Sequence, residues 1–518
     1  MRSQPCLTEV VGVNKRVFYQ NTALITGCSL LLRLLGIVFR ILISNRIGAE
    51  GMGLYQLVFS IHILGSTFAV GGLVTAVTCV ATQRLSAEDW HGVRRLMRIG
   101  VCISLIVGIG SALLLYGGAP QIADMLGDSR SQNAVAISGI ALPFIGMDAT
   151  LKGYFIARRR AWPSCVAQLL EQTVRIGSIL WWLATVWNGS LEQACVIIIL
   201  GDALAETVSC VYLWAAYRRD RRTSSATAST AVAPTTVKIL RPLLHIALPL
   251  IAGRYLTTAL RTVENALEPA RLQMYTRSKP LALAQFGAVK GMALPLIFFP
   301  SALLMTVSGL LIPELTDAHT QHQHKQVSRL VGMALRITLL GAIFIGGIFT
   351  VLGQELGILL YGDPTVGLLL LILGPLTPIM YLDSVATGML KGLGQQVHSL
   401  WYAVADSAVR ILLIWLLLPH FGLAGFLFVM LVSNLLTCLL NTGRLLTVSG
   451  ASVQWYRWIL LPAIAATVGG VLCTYLPWTG IPYVAVGGLI YTGVYITLIL
   501  LFRCFTREDW KQLTARKA

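Results

Sequence analysis

Charge is scarce in this chain: 12% of its 518 residues are Asp, Glu, Lys or Arg, against 56% hydrophobic residues. So few charges over such a length exclude an ordinary soluble protein and point to a chain that uses lipid as its solvent. Long polar stretches are missing too, and no segment is left over for a soluble domain. The ten cysteines include no CxxC pair and no spacing that suggests a disulfide framework. Eight of them (Cys28, Cys79, Cys102, Cys165, Cys195, Cys210, Cys438 and Cys473) fall in apolar stretches and read as small core residues. A cleavable leader is not expected, because Arg33 and Arg40 interrupt the first apolar run and no small-residue cleavage site follows it. Acidic residues are few, 22 against 40 Lys and Arg.

What is present is a series of apolar stretches, each long enough to cross a hydrocarbon core of roughly 30 Å at about 1.5 Å per residue. They predict an all-α polytopic membrane protein. Its helices are placed near 21–44, 54–82, 97–117, 132–154, 162–187, 191–217, 238–263, 286–312, 328–353, 365–390, 397–418, 422–446, 456–476 and 482–503, about fourteen in number. With the N-terminus inside, the outer loops carry Arg46, Arg130, Arg271, Arg277 and Lys279. The helices carry Arg33, Arg40, Lys152, Arg175, Arg254, Arg261, Lys290, Arg336 and Arg410, and the other 26 cations lie on inner segments. The positive-inside rule then puts both termini in the cytoplasm of a bacterial plasma membrane. The clusters Arg158 to Arg160 and Arg218, Arg219, Arg221 and Arg222 read as topology signals and contacts for anionic lipid. Nucleic acid is not needed to explain the net charge of +18. His319, His322 and His324 lack Cys or carboxylate partners, so neither a metal nor another cofactor is expected.

An internal repeat divides the chain. At a constant offset of 235, Pro143 meets Pro378, Asp148 meets Asp383, Gly153 meets Gly388, Glu171 meets Asp406, Arg175 meets Arg410 and Ile176 meets Ile411. A second match, at offset 221, lays "RLLGIVFR" with Arg33 and Arg40 over "RYLTTALR" with Arg254 and Arg261. A longer loop over 264–285 absorbs the difference, and Arg95 with Arg329 supports the register beyond it. Six helices per repeat is an even number, so the halves are parallel repeats expected to form two lobes around a central cavity, with two C-terminal helices outside the repeat. The expected segments are a cytoplasmic 1–20, an N-lobe 21–217, a cytoplasmic linker 218–237, a C-lobe 238–446, the last helix pair in 447–503 and a cytoplasmic tail 504–518.

Nine cations placed toward lipid would cost on the order of 20 to 30 kcal/mol, at roughly 2.5 to 3.5 kcal/mol each, so most must face protein or water. Asp148 with Lys152, Glu171 with Arg175 and Asp406 with Arg410 are each one turn apart and suited to local pairing. Asp202 and Glu206 are one turn apart without a cation on their own helix. Close carboxylates can carry a proton or hold Na+, and they equally suit a counter-charge for Arg175 or Lys152. Asp148, Asp383, Glu171, Arg175, Asp202, Glu206, Asp406 and Arg410 are therefore candidates for ion coupling or gating. Arg33 and Arg40 have no neighbouring carboxylate, and their separation of seven residues puts them on one face about 10 Å apart. Arg254 and Arg261 repeat this, with Glu264 three residues after Arg261 as a possible neutralising group. Guanidinium groups suit phosphate oxygens and keep their proton when partly desolvated. These four arginines are the candidate site for an anionic, phosphorylated headgroup.

The segments "LLRLLGIVFRILIS" and "SNRIGAEGMGLYQL" resemble the stage V sporulation protein B family. That family belongs to the superfamily of polysaccharide exporters and lipid-linked oligosaccharide flippases, with the lipid II flippases. The resemblance implies transbilayer movement of an undecaprenyl-pyrophosphate-linked sugar, such as a peptidoglycan precursor, by alternating access of two lobes. It implies that helix-1 arginines hold the pyrophosphate. Arg33 matches the first of that pattern, while Arg40 stands one residue beyond the second, where Phe39 lies. The last two helices would extend a groove for the lipid tail. A non-enzymatic flippase is the expected function, and cell-wall synthesis enzymes as partners are not readable. The rivals are an exporter of a soluble metabolite or drug and a membrane-embedded glycosyltransferase. A cationic drug would want unpaired carboxylates in place of arginines. An enzyme would want paired acid groups near a sizeable outer loop, where only Asp124 and Asp128 stand.

Overall fold

The computed structural model describes residues 15–224 and 236–504. The expected N-terminal segment, linker and tail therefore lie partly or almost wholly outside the described residues. In a run of apolar residues without water, the backbone can satisfy its own N–H and C=O groups only within a helix or a closed barrel. Here every described element is helical. The helices are α1 (Lys15–Val70), α2 (Leu73–Ser86), α3 (Trp90–Met125), α4 (Gln132–Ser138), α5 (Leu142–Ala157), α6 (Trp162–Thr185), α7 (Leu191–Ser224), α8 (Thr236–Thr276), α9 (Lys279–Gly287), α10 (Leu294–Phe298), α11 (Ser301–Thr320), α12 (His324–Tyr361), α13 (Pro364–Leu373), α14 (Thr377–Gly392), α15 (Gln396–Ser449), α16 (Leu461–Thr474) and α17 (Ile481–Leu501). Among the described residues, eleven helical stretches are long and apolar enough to cross a membrane. The chain is thus a multi-pass membrane protein.

Local sequence marks where these helices turn. Asp89 caps α3 by accepting the Gly92 N–H at 2.7 Å, and Asp363 caps α13 by accepting the Thr365 N–H at 2.8 Å ahead of Pro364. Gly362 and Gly450 end α12 and α15 in the left-handed region, at φ 65° and 64°. Two long helices are interrupted inside: α1 at Gly48 (φ 70°, ψ −179°) and α15 at Gly422 (φ 55°, ψ −129°). Each interruption separates two of the helices expected from sequence. The loop expected over 264–285 is instead mostly helical, since α8 runs on to Thr276 and α9 resumes at Lys279. Arg271, expected in a loop, therefore lies on α8.

The chain packs as two compact units, one of Met1–Phe39 and Leu54–Ala266, the other of Arg40–Gly53 and Leu267–Ala518. The first is centred on Val77, Leu96, Met97, Leu151, Tyr154, Phe155 and Leu213, where α2, α3, α5 and α7 meet. The second is centred on Leu315, Val331, Leu335, Met389, Leu390 and Leu445 from α11, α12, α14 and α15. In that unit α16 and α17 lie along α12. Tyr495 donates its hydroxyl hydrogen to the Leu340 carbonyl at 2.8 Å and Tyr491 to the Phe344 carbonyl at 3.2 Å. Gly347 leaves the room that the Tyr491 hydroxyl occupies. The outward faces of both units are apolar, with Leu114 of α3 at 74% and Leu489 of α17 at 75% exposure, as a lipid-facing surface requires.

Candidate functional site

The first unit holds a charge network between α5, α6 and α7. Arg175 on α6 is its hub. Its Nη2–H donates to Glu171 Oε1 at 2.8 Å and its Nη1–H to Gln172 Oε1 at 2.9 Å, while its Nε–H donates to Asp202 on α7. Glu206, one turn further along α7, lies 3.5 Å from the same guanidinium. Lys152 on α5 pairs with Asp148 at 2.5 Å and reaches Glu171 at 3.7 Å. Asp148 in turn accepts the Ser209 hydroxyl at 2.9 Å. Every charged side chain of the network is at most 19% exposed. Four carboxylates meet two cations, so full ionisation leaves two negative charges in excess. The local pairs expected from spacing are all formed, and Asp202 with Glu206 are brought to Arg175.

The second unit repeats this plan with less charge. Arg410 donates to Asp406 at 2.7 Å, as Arg175 does to Glu171, and its Nε–H donates to Ser433 Oγ at 3.0 Å, where the first unit has Asp202. Ser433 itself donates to Asp406 at 2.6 Å. Asn441 donates to Asp383 at 2.8 Å, as Ser209 does to Asp148. The sequence repeat is therefore also a repeat of contacts between helices, with the Ser433 hydroxyl standing in the second copy where the first has the Asp202 carboxylate.

The four arginines expected to bind an anion behave differently. Among the described residues, Arg33, Arg40, Arg254 and Arg261 form no ion pair. Arg33, Arg254 and Arg261 are exposed and belong to the first unit, whereas Arg40 is half-buried in the second. One guanidinium nitrogen of Arg40, Nη1, is buried without a hydrogen-bond acceptor. Phe39, at the position the resembled pattern gives to arginine, is buried at 7% exposure. The neutralisation of Arg261 by Glu264 is not formed. Glu264 is 1% exposed while Arg261 is exposed, so the carboxylate lies in the packed interior and the guanidinium outside it.

Two residues escaped the sequence reading. Glu268, which the expected loop contained, is 1% exposed and pairs at 3.0 Å with Lys290, which stands in a π-helical turn over Ala288–Ala293. A carboxylate 22 positions before an intramembrane lysine was the available signal. His62 on α1 is 6% exposed, with its Nδ1 3.3 Å from the Ser138 carbonyl. A lone histidine in an apolar run carried no signal.

The contact repeat and the paired helical units are the architecture against which known proteins can be compared. Residues 18–308 match the family described as "Polysaccharide biosynthesis protein". The chain belongs to that family. Stage V sporulation protein B of Bacillus subtilis (strain 168) is 22% identical over 507 residues, covering 96% of this chain and 98% of that one. The lipid II flippase MurJ of the same organism is 22% identical over 431 residues, covering 76% of each chain. Among solved structures, a lipid II flippase MurJ in an inward closed conformation superposes with a TM-score of 0.69 at 14% identity, over 92% of this chain and 98% of that one. An inward-facing multidrug resistance MATE family transporter of the MOP superfamily does so at 0.66 and 14%, over 82% and 96%. The family expected from "LLRLLGIVFRILIS" and "SNRIGAEGMGLYQL" is the one found, and the fold is that of these transporters.

Proposed function

We propose that this polysaccharide biosynthesis family member is a flippase that carries an undecaprenyl-pyrophosphate-linked sugar across the bacterial plasma membrane by alternating access. The observation that carries the reading is the set Arg33, Arg40, Arg254 and Arg261. These are four guanidinium groups on membrane-length helices with no ion pair among the described residues. An unpaired arginine inside a bilayer is retained at a cost of a few kcal/mol, and it is stable there when it faces water or an anion. A pyrophosphate offers the planar, bidentate acceptors that a guanidinium fork fits, while the polyprenyl tail stays in lipid. The relative named as a lipid II flippase supports a lipid-linked substrate. The acidic excess around Asp148, Glu171, Asp202 and Glu206 supports cation coupling, with H+ or Na+ offsetting the two surplus charges. Asp383, Asp406 and Arg410 would serve as the gating counterpart. No covalent chemistry is required of any side chain.

The test is movement of a fluorescent undecaprenyl-pyrophosphate sugar in proteoliposomes, with wild type beside Arg33→Ala, Arg254→Ala and Arg33→Lys. Loss of movement in both alanine variants, with partial rescue by lysine and unchanged thermal unfolding, is the expected result. Wild-type protein that moves no such lipid yet exports a soluble dye or metabolite would overturn it in favour of an exporter.

A further inference from the structure

The helix expected over 54–82 is broken within its length. The α1 helix ends at Val70 and α2 starts at Leu73, with Gly71 and Gly72 between them. Gly72 stands at φ 154°, a conformation open to glycine and strained for other residues, and no side chain caps the start of α2. Irregular backbone is kept at membrane depth only where protein covers it or water reaches it. In transporters with discontinuous helices, such breaks lie beside the substrate.

Here the cover is α8. A Cβ on Gly72 would lie 2.9 Å from the Ala247 carbonyl oxygen and 3.1 Å from Leu250 Cβ, and one on Gly71 would lie 3.0 Å from Ile251 Cγ1 and 3.3 Å from Ile251 Cα. The α8 backbone therefore approaches to a distance that only glycine allows. From this seat the two helices continue side by side in opposite directions. Tyr255 stands edge-on to Phe68 with ring centroids 5.8 Å apart, the Thr258 and Thr67 hydroxyls meet at 3.5 Å, and Thr262 donates to the Ser60 carbonyl at 3.3 Å. All of these residues belong to the first unit. Arg254 follows Leu250 by four positions and Ile251 by three, which puts it on the face that meets the broken helix, one turn beyond the seat. Its side chain is exposed.

We infer that Gly71 and Gly72 are positioning residues for the headgroup site, seating α8 on the broken helix so that Arg254 is presented at a fixed depth and rotation. The inference rests on the reading of Arg254 as a headgroup ligand. A methyl group on Gly72 meets a backbone oxygen and a Cβ, neither of which can turn aside, so α8 must shift or rotate. That displacement is delivered one turn away, at Arg254. A guanidinium fork is sensitive to it, because paired hydrogen bonds to phosphate oxygens need both partners aligned.

A double-mutant cycle separates this role from a merely structural one. Binding of an undecaprenyl-pyrophosphate sugar to the full chain in mild detergent is titrated by native mass spectrometry. Gly72→Ala should raise the Kd about tenfold, the loss expected for one charge-assisted hydrogen bond, and in the Arg254→Ala background it should raise it no further. Effects that multiply in full, or a Gly72→Ala that lowers the melting temperature and leaves the Kd unchanged, overturn the inference. If Gly72→Ala does not fold, Ile251→Ala makes the test from the α8 side. It removes the side chain lying against Gly71 without straining the glycines, and a severalfold rise in Kd that vanishes beside Arg254→Ala is expected. Wild type that binds no such lipid sinks the functional reading alone, and the seat is then judged without substrate. Arg254→Cys should react with a membrane-impermeant methanethiosulfonate at a rate that Gly72→Ala or Ile251→Ala changes severalfold, and an unchanged rate overturns the inference.

Discussion

Removing the guanidinium of Arg175 would leave Glu171, Asp202 and Glu206 facing one another around a buried gap. Breaking a buried pair by deleting one partner costs about 3–5 kcal/mol. Arg175→Ala should therefore lower thermal stability in detergent sharply, and an unchanged melting temperature would show that the network is solvated. Arg410→Ala should cost less, about 1–3 kcal/mol, because Asp406 keeps its bond from Ser433. The same melts on both variants give the comparison. Spacing along one helix was enough to read Glu171 with Arg175 and Asp406 with Arg410. The bond from Arg175 to Asp202 was legible only as one of two options, because a sequence fixes which residues share a helical face and does not say which faces meet. Glu268 was misplaced in a loop for a related reason. Its charge argues against helix in lipid until its partner Lys290, on another element, is known.

Among elements, the glycines of "IGAEGMGLYQ" have separate tasks. Gly48 takes a backbone conformation essentially reserved for glycine, and Gly48→Ala should destabilise by about 1–3 kcal/mol through strain alone, since open space surrounds the added methyl. Gly53 faces Gly287 within the second unit at backbone contact. A Cβ on Gly287 would run into the Ala49 carbonyl and the Gly53 nitrogen, and one on Gly53 into the Leu283 carbonyl. Backbone cannot step aside as a side chain does, so Gly287→Val should cost at least 1–3 kcal/mol and should prevent 40–53 from packing on α9. Protease accessibility of that segment, compared with wild type, checks it. Helix existence was legible from apolar length. The joining of α8 across 264–276 was not, because length and charge pointed to opposite answers there.

For the molecule as a whole, the cation bias predicts an orientation that labelling can test. A cysteine placed at the exposed Asn188 should react with a membrane-impermeant maleimide added outside intact cells, and one at the exposed Ala87 only after the membrane is opened. The reverse pattern would overturn the expected orientation, with both termini in the cytoplasm. The duplicated plan was visible in the sequence because paired charges kept their register. Its inequality, the Asp202 carboxylate in one copy and the Ser433 hydroxyl in the other, shows only once the contacts are known. That inequality bears on how the protein is made. The α6 helix carries Glu171 and Arg175 and is not among the eleven stretches apolar enough to cross alone, and Asp202 on α7 binds its arginine. Leaving the translocon singly, α6 would carry Glu171 and Arg175 as a neutral pair, whereas α7 alone would bring Asp202 and Glu206 into lipid without a cation beside them. Insertion of α7 is therefore expected to depend on an α6 already in place, whose arginine offsets the carboxylates as the two helices pair.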